Sequence, residues 1–136
     1  MPDLMETKLQ PVNVLTGKVV HGKQLGRRLG YPTANLNFDT PQGQLPSPGV
    51  YAATATLADG GQFRAMVNIG YRPTVDPEGM PMSVEAHLCD FEGDLYGQTI
   101  RLDFGPRIRD ERRMSSLDEL REQLARDLES VKSITL

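Results

Sequence analysis

The sequence contains no tryptophan, four tyrosines, four phenylalanines and a single cysteine in 136 residues. One cysteine excludes an internal disulfide and any zinc site built from several thiolates. No apolar run approaches the length of a membrane span, and no secretory leader pattern opens the chain. Neither sign of charge dominates: fifteen Lys and Arg face eighteen Asp and Glu, a net charge of −3. That balance argues against a protein held to nucleic acid by backbone electrostatics. A cytoplasmic protein with no membrane and no nucleic-acid partner is the expectation.

What is plentiful is turn chemistry. Thirteen glycines and ten prolines favour short strands over long helices. The length suits one domain, able to bury about two thirds of its unfolded surface. Residues 1–11 read as a polar lead-in and 12–136 as the folded domain. Strand character at 12–14 and 18–20 is interrupted at Gly17, and 36–38 reads as another short strand. Pro41, Gly43, Pro46, Pro48 and Gly49 then forbid regular structure and mark a long loop, the kind that often serves as a lid.

Residues 50–57 are β-rich, Asp59-Gly60-Gly61 is a turn, and Phe63, Ala65, Val67 and Ile69 alternate beyond it. This predicts an antiparallel hairpin. A second irregular stretch, 70–82, precedes a strand at 83–88. There Val84, Ala86 and Leu88 point one way and Ser83, Glu85 and His87 the other. Ile100, Leu102 and Phe104 share a face of a strand over 99–104, and 107–109 adds a short piece. Ser116 and Glu119 form a capping box, after which Leu117, Leu120, Leu124, Leu128 and Val131 recur at helical spacing over about four turns. Six short antiparallel strands and one amphipathic helix predict a mainly β fold, a small closed barrel with the C-terminal helix outside. Closure removes exposed strand edges, as a monomer needs.

The chemistry concentrates in residues 22–35. Gly22, Gly26 and Gly30 recur every four residues, with Arg27 and Arg28 between them. Spaced glycines let a backbone wrap phosphates with its N–H groups, although a glycine-rich turn between strands fits the composition equally well. The spacing matches neither the dinucleotide fingerprint nor the Walker A loop. Pro32 stiffens the segment that follows, so Thr33 and Asn35 point the same way. A hydroxyl and an amide oxygen so placed suit a hard cation such as Mg²⁺, with phosphates as the remaining ligands. Glu85 has an apolar face behind it, and taken alone it reads as a solvated strand side chain or as a base lining a cleft. Arg107, Arg109, Arg112 and Arg113 alternate with Asp110 and Glu111, which reads first as a self-paired solvated face. His87 and Cys89 lie two residues apart, a spacing compatible with a thiol–imidazole pair but without a third orienting group.

The stretch Gly26-Arg27-Arg28-Leu29-Gly30-Tyr31-Pro32-Thr33-Ala34-Asn35 resembles the signature of riboflavin kinases, which also form the C-terminal half of bacterial bifunctional FAD synthetases. Further blocks resemble that family in its own order. They are Pro48-Gly49-Val50-Tyr51-Ala52, Asn68-Ile69-Gly70-Tyr71-Arg72-Pro73-Thr74, Glu85-Ala86-His87-Leu88, residues 90–97, and Ile108-Arg109-Asp110-Glu111. The resemblance implies a six-stranded Greek-key-like barrel with a C-terminal helix, and phosphorylation of the riboflavin 5′-hydroxyl by ATP with Mg²⁺, giving FMN and ADP.

Under it, Thr33 and Asn35 match the metal-coordinating residues and Glu85 the general base. Gly22, Gly26, Arg27, Gly30, Pro32 and Tyr96 fall in the nucleotide-binding blocks. Arg109 and Glu111 match polar positions of a flap near the flavin, while Met114 stands where the family usually carries an aromatic residue. The adenylyltransferase module of the bifunctional enzymes has no counterpart in the sequence, so this chain is expected to make FMN and not FAD. A non-catalytic flavin- or nucleotide-binding module of the same fold is the alternative, against which the joint presence of Thr33, Asn35 and Glu85 argues.

Overall fold

Period-two alternation along the strands decides the architecture. The computed structural model describes residues 11–20, 30–41, 44–71 (Tyr71 by its backbone alone), 82–112 and 114–134. Its elements are β1 (Val14–Val20), β2 (Ala34–Phe38), β3 (Gly49–Thr56), β4 (Gln62–Tyr71), β5 (Met82–Leu88), β6 (Thr99–Arg109) and the helix α1 (Leu117–Ser133). All pairings are antiparallel in the order β1-β2-β5-β4-β3-β6, and β6 pairs back onto β1 to close the barrel. The links from β2 to β3 and from β5 to β6 join strands that are not neighbours, which gives the Greek-key character. The predicted closed barrel with a helix outside is therefore the observed fold. Among the described residues no helix is long and apolar enough to cross a membrane.

The interior is filled by alternate residues. Leu15 and Val19 of β1, Leu36 of β2, Val67 and Ile69 of β4, Val84 of β5, and Ile100 and Leu102 of β6 form one buried cluster. Their in-between neighbours point outward and remain available for other work.

Three expectations need correction. First, β1 is not interrupted at Gly17. Residue 17 faces the interior, opposite Phe38 on β2 and Ile100 on β6. A Cβ there would lie 2.9 Å from the Asn37 carbonyl oxygen and 3.1 Å from Leu36 Cβ. The glycine allows close approach of β2; it does not end the strand. Second, 107–109 is no separate piece but the end of a single strand, β6, whose register against β3 shifts between Val50 and Ala53. Pro106, which has no N–H to give, is accommodated at that irregularity. Third, the irregular stretch expected over 70–82 is shorter at both ends, because Gly70 and Tyr71 belong to β4 and Met82 to β5. The described part of the loop before β3 is anchored. Leu45 is buried in the barrel core, the Val12 N–H donates to the Gln44 carbonyl at 2.8 Å, and the Tyr51 hydroxyl donates to the Ser47 carbonyl at 2.6 Å. That part plugs the barrel. The rest of the stretch expected over 70–82, residues 72–81, and residues 1–10 of the expected lead-in over 1–11 lie outside the described residues.

The capping box forms with one residue of offset. Ser116 Oγ accepts from the Glu119 N–H at 3.1 Å, while the Glu119 carboxylate accepts from the Ser115 hydroxyl and from its N–H at 3.3 Å. Those bonds, the hydroxyl first, hold the Glu119 carboxyl below the usual carboxylate range. The helix buries Val131 and packs Leu124 and Leu128 onto Val50, Ala52, Met66 and Cys89 on the barrel's outer surface. Leu117, read as part of the stripe, is 53% exposed.

The stripe also hides a charge. Asp127 is 1% exposed, and its carboxylate accepts from Arg109 Nε at 2.9 Å, Arg109 Nη2 at 2.8 Å and Gln123 Nε2 at 2.8 Å. A carboxylate is tolerated in such a place because its oxygens are fully engaged. At the far end of the helix, Arg64 Nη1 donates to the carbonyls of Val131 and Lys132 at 3.0 and 2.9 Å. It satisfies acceptors that the last turn leaves open, and it sets a cation at the negative end of the helix dipole.

The Arg109–Asp127 pair ties the helix to the barrel, and Asp127→Ala removes one partner only. The guanidinium then stays half-buried without its counter-charge. The expected cost is about 3 kcal/mol, the low end for a broken buried pair because Arg109 keeps some contact with water. Calorimetric melting measures it, and a loss below about 0.5 kcal/mol, the size of an ordinary surface change, would show that the pair does not hold the helix.

Candidate active site

Strand β5 stands between β2 and β4, and its registers line up the polar residues of three strands. Asn35 on β2 pairs with Glu85 on β5, and Glu85 pairs with Asn68 on β4. The row continues through Val50 on β3, opposite Asn68, to Arg109 on β6, opposite Val50. All belong to the outward set, since Ala34, Leu36, Val67, Ile69, Val84 and Ala86 face the core. Sequence alternation placed Glu85 outward, and the ladder supplies its neighbours.

Two concavities meet at this row. The first, about 390 Å³, opens at the barrel mouth between the end of β1, the start of β2 and the turn carrying Tyr96; Pro32, Thr33 and Asn35 form one wall. The turn depends on glycines in the left-handed region, with φ of 134° at Gly93 and 83° at Gly97. The Asp94 carboxylate accepts from the Tyr96 N–H at 2.9 Å, and the Gly97 N–H donates to the Val19 carbonyl at 3.0 Å. These bonds stitch the turn to β1 and present Tyr96 at the cleft, 54% exposed.

The second concavity, about 200 Å³, lies between the barrel's outer surface and α1. Its polar wall includes Asn68, Glu85, Arg109 and Glu111, and its apolar wall Val50, Met66, Leu120 and Leu124. Thr33 borders both spaces.

The segment that carries Thr33 is clamped to β5. His87 Nδ1 lies 2.7 Å from the Pro32 carbonyl, to which the ring N–H donates, and the Tyr31 ring stands edge-on to His87 at 5.9 Å. Gly30, with φ of 92°, turns the chain into that segment. Glu111 sits against the backbone of β4, and a Cβ at Gly70 would fall on its Oε1. Glycine at 70 therefore makes room for that carboxylate.

The sequence-predicted residues divide accordingly. Pro32, Thr33, Asn35 and Tyr96 share the mouth cleft, and Glu85, Arg109 and Glu111 share the space beneath the helix. Gly22, Gly26 and Arg27 lie outside the described residues. Arg109 spends Nε and Nη2 on Asp127 and Nη1 on the Asp110 carbonyl at 3.0 Å, so it serves first as a tie. The self-paired arginine face is found for Arg107, which meets Asp110 at 2.5 Å, whereas Arg112 reaches Glu119 of α1 at 2.9 Å. The thiol–imidazole pair is absent: His87 turns to Pro32, and Cys89 is buried under the helix, where desolvation pushes its thiol up.

Two lining residues escaped sequence reasoning. Asp127 is one, and its signal was a carboxylate inside an apolar stripe, four residues before Val131. Asn68 is the other: its Oδ1 is buried with no hydrogen-bond partner. Inward Val67 and Ile69 on either side already implied that Asn68 points the same way as Glu85.

Barrel, helix and paired concavities define a class: a small closed β-barrel whose site lies at its mouth and under an external helix. The family model described as riboflavin kinase matches residues 10–135, and the chain belongs to that family. It is 42% identical over 126 residues to the bifunctional riboflavin kinase/FMN adenylyltransferase of Escherichia coli (strain K12), covering 91% of this chain and 38% of that protein. The chain thus spans under half the length of that curated relative. A solved Streptococcus pneumoniae chain described as a macrolide-efflux protein superposes with TM-score 0.80 at 35% identity, over 90% of this chain and 39% of that one. The riboflavin kinase structure of Trypanosoma brucei shares the fold, with TM-score 0.64 at 23% identity over 88% of this chain and 74% of that one.

If His87 fixes the segment before β2, His87→Ala frees the Pro32 carbonyl. Amide exchange at residues 33–35 should then quicken by about three- to tenfold, the equivalent of one modest hydrogen bond, with the rest of the barrel unchanged. Unaltered exchange there would make the His87 contact incidental.

Proposed function

We propose that this domain transfers the terminal phosphoryl group of ATP to the 5′-hydroxyl of riboflavin, giving FMN and ADP. The observation that carries the reading is that Thr33 borders both concavities while Glu85, paired with Asn35 across β2 and β5, lines the second. A phosphoryl transfer needs two substrates whose reacting ends meet at one point, with a carboxylate on the acceptor's side. The nucleotide takes the barrel mouth beside Tyr96, with Pro32 and Gly30 on the side of its phosphates, a role we extend to Gly22, Gly26 and Arg27 from the sequence resemblance. Riboflavin takes the space under α1, its ring against the apolar wall and Arg109 and Glu111 at the polar side.

The donor set fits a nucleotide-borne Mg²⁺. Thr33 and Asn35 offer neutral oxygens, and among the described residues no group of three His, Cys, Asp or Glu side chains is placed to hold a metal by itself. Thr33 and Asn35 would hold such an ion, which when bound would offset phosphate charge. The protein's own step belongs to Glu85. As the 5′-oxygen bonds to the terminal phosphorus and the bond to the ADP oxygen breaks, the carboxylate takes the hydroxyl proton. A coupled assay of ADP release with and without riboflavin tests the function: release that does not depend on riboflavin, or none at all, refutes it and favours a non-catalytic module.

Thr33→Val keeps the shape of the side chain and removes its oxygen. Nucleotide binding in the presence of Mg²⁺ is expected to weaken by about tenfold, as for one hydrogen bond to a charged group, while the melting temperature stays within a few degrees. A variant that merely unfolds would reassign Thr33 to the turn. Glu85→Gln keeps size and hydrogen bonding but cannot take the proton. Its kcat should fall at least about a hundredfold, with dissociation constants for ADP and FMN nearly unchanged. Turnover at the wild-type rate would return Glu85 to an ordinary strand side chain.

A further inference from the structure

A buried polar atom without a partner is costly, and folded proteins keep few of them. Asn68 Oδ1 is such an atom. It lies in the row between Glu85 and Val50, on the wall of the cavity beneath α1. Glu85 is its neighbour on β5, and the remaining wall on its side is apolar, from Val50, Met66, Leu120 and Leu124. The guanidinium of Arg109 is engaged elsewhere, with Asp127 and the Asp110 carbonyl. No packing advantage accounts for an amide here, where leucine would fill the same space at no desolvation cost.

We infer that the missing partner is the acceptor substrate, and that Asn68 positions it by binding a hydroxyl of its polyol chain other than the one phosphorylated. This rests on the riboflavin reading above. Adjacent strands are about 4.8 Å apart, so a group that satisfies Asn68 sits roughly one strand spacing from the group that meets Glu85. In riboflavin the reactive hydroxyl ends a ribityl chain that bears further hydroxyls on successive carbons. The ring N–H lies at the opposite end of the molecule, beyond that reach. A hydroxyl both donates and accepts, so it can serve either end of a side-chain amide. Glu85 and Asn68 together then hold the chain at two points, which fixes the direction of the terminal hydroxyl.

Asn68→Leu tests this on the whole chain. Removing a buried, unpartnered amide oxygen should leave the melting temperature unchanged or raise it. Riboflavin binding, followed by flavin fluorescence, should weaken by about three- to tenfold, the worth of one neutral hydrogen bond. Binding of lumiflavin, the same ring with a methyl group in place of the ribityl chain, should not change. Asn68→Ala should show the same loss of preference for riboflavin over lumiflavin, which keeps the test valid if leucine disturbs the wall. Equal weakening of both flavins, or a preference fully retained in both variants, overturns the role of Asn68 alone. A wild-type protein that binds neither flavin overturns the riboflavin reading and this inference with it.

Discussion

Six strands closed into a barrel turn their alternate side chains into one interior core, and everything else follows from how little room that leaves inside. A ligand has only the mouth and the outer surface to occupy. The mouth is lined by the ends of strands and the turns between them, where Thr33, Asn35 and Asp94 stand beside Val19, Ala86 and Leu95. The outer surface of such a barrel is convex, and it cannot enclose anything until another element covers it. Here α1 is that cover: Leu120, Leu124 and Asp127 of the helix close the cavity over Glu85, Asn68 and Val50.

Strand register then does what loop geometry does in many enzymes. Because side chains alternate, a slip of β5 by one residue would exchange Glu85 for Ala86 or Val84 on the outer face and bring a carboxylate into the core. Burial of Val84, Ala86 and Leu88 therefore fixes Glu85 as firmly as any contact of its own. The pairing with β2 fixes Asn35 beside it, and the pairing with β4 fixes Asn68. Groups held on a closed ladder keep their spacing without a supporting shell of loops. The less regular part of the site, the segment at Pro32 and Thr33, needs its own fastening, and the His87 ring supplies it.

How legible this was depends on the range of each interaction. Alternation and capping are local, so the strands, the outward Glu85 and the Ser116–Glu119 box were readable from neighbouring residues. Gly17 was misread as a break, and 107–109 as a piece apart from 99–104, for the same reason: a local rule equates glycine and proline with strand ends. The causes of both lie across the sheet, in the approach of β2 and in the shifted register of β3. Arg109 carries a tie that neither spacing nor resemblance indicated: its partner Asp127 lies eighteen residues away, inside a stripe that is otherwise apolar. Asn68 lay in a recognisable block, but only the ladder shows that it neighbours Glu85.

The roof is held by polar ties as well as by apolar packing. Leu117 is exposed and Leu120, Leu124 and Leu128 are only partly buried, so the helix contributes one fully buried apolar side chain, Val131. Three arginines, two from the barrel and one from the segment after β6, add those ties: Arg112 to Glu119 in the first turn, Arg109 to Asp127 midway, and Arg64 to the final carbonyls. A helix fixed by apolar packing alone would settle onto the barrel until the gap closed, since the hydrophobic effect has no preferred distance. Ion pairs and carbonyl caps have definite lengths, and three along one helix set both its height and its tilt. A cavity can thus persist between two surfaces that would each gain by collapsing onto the other.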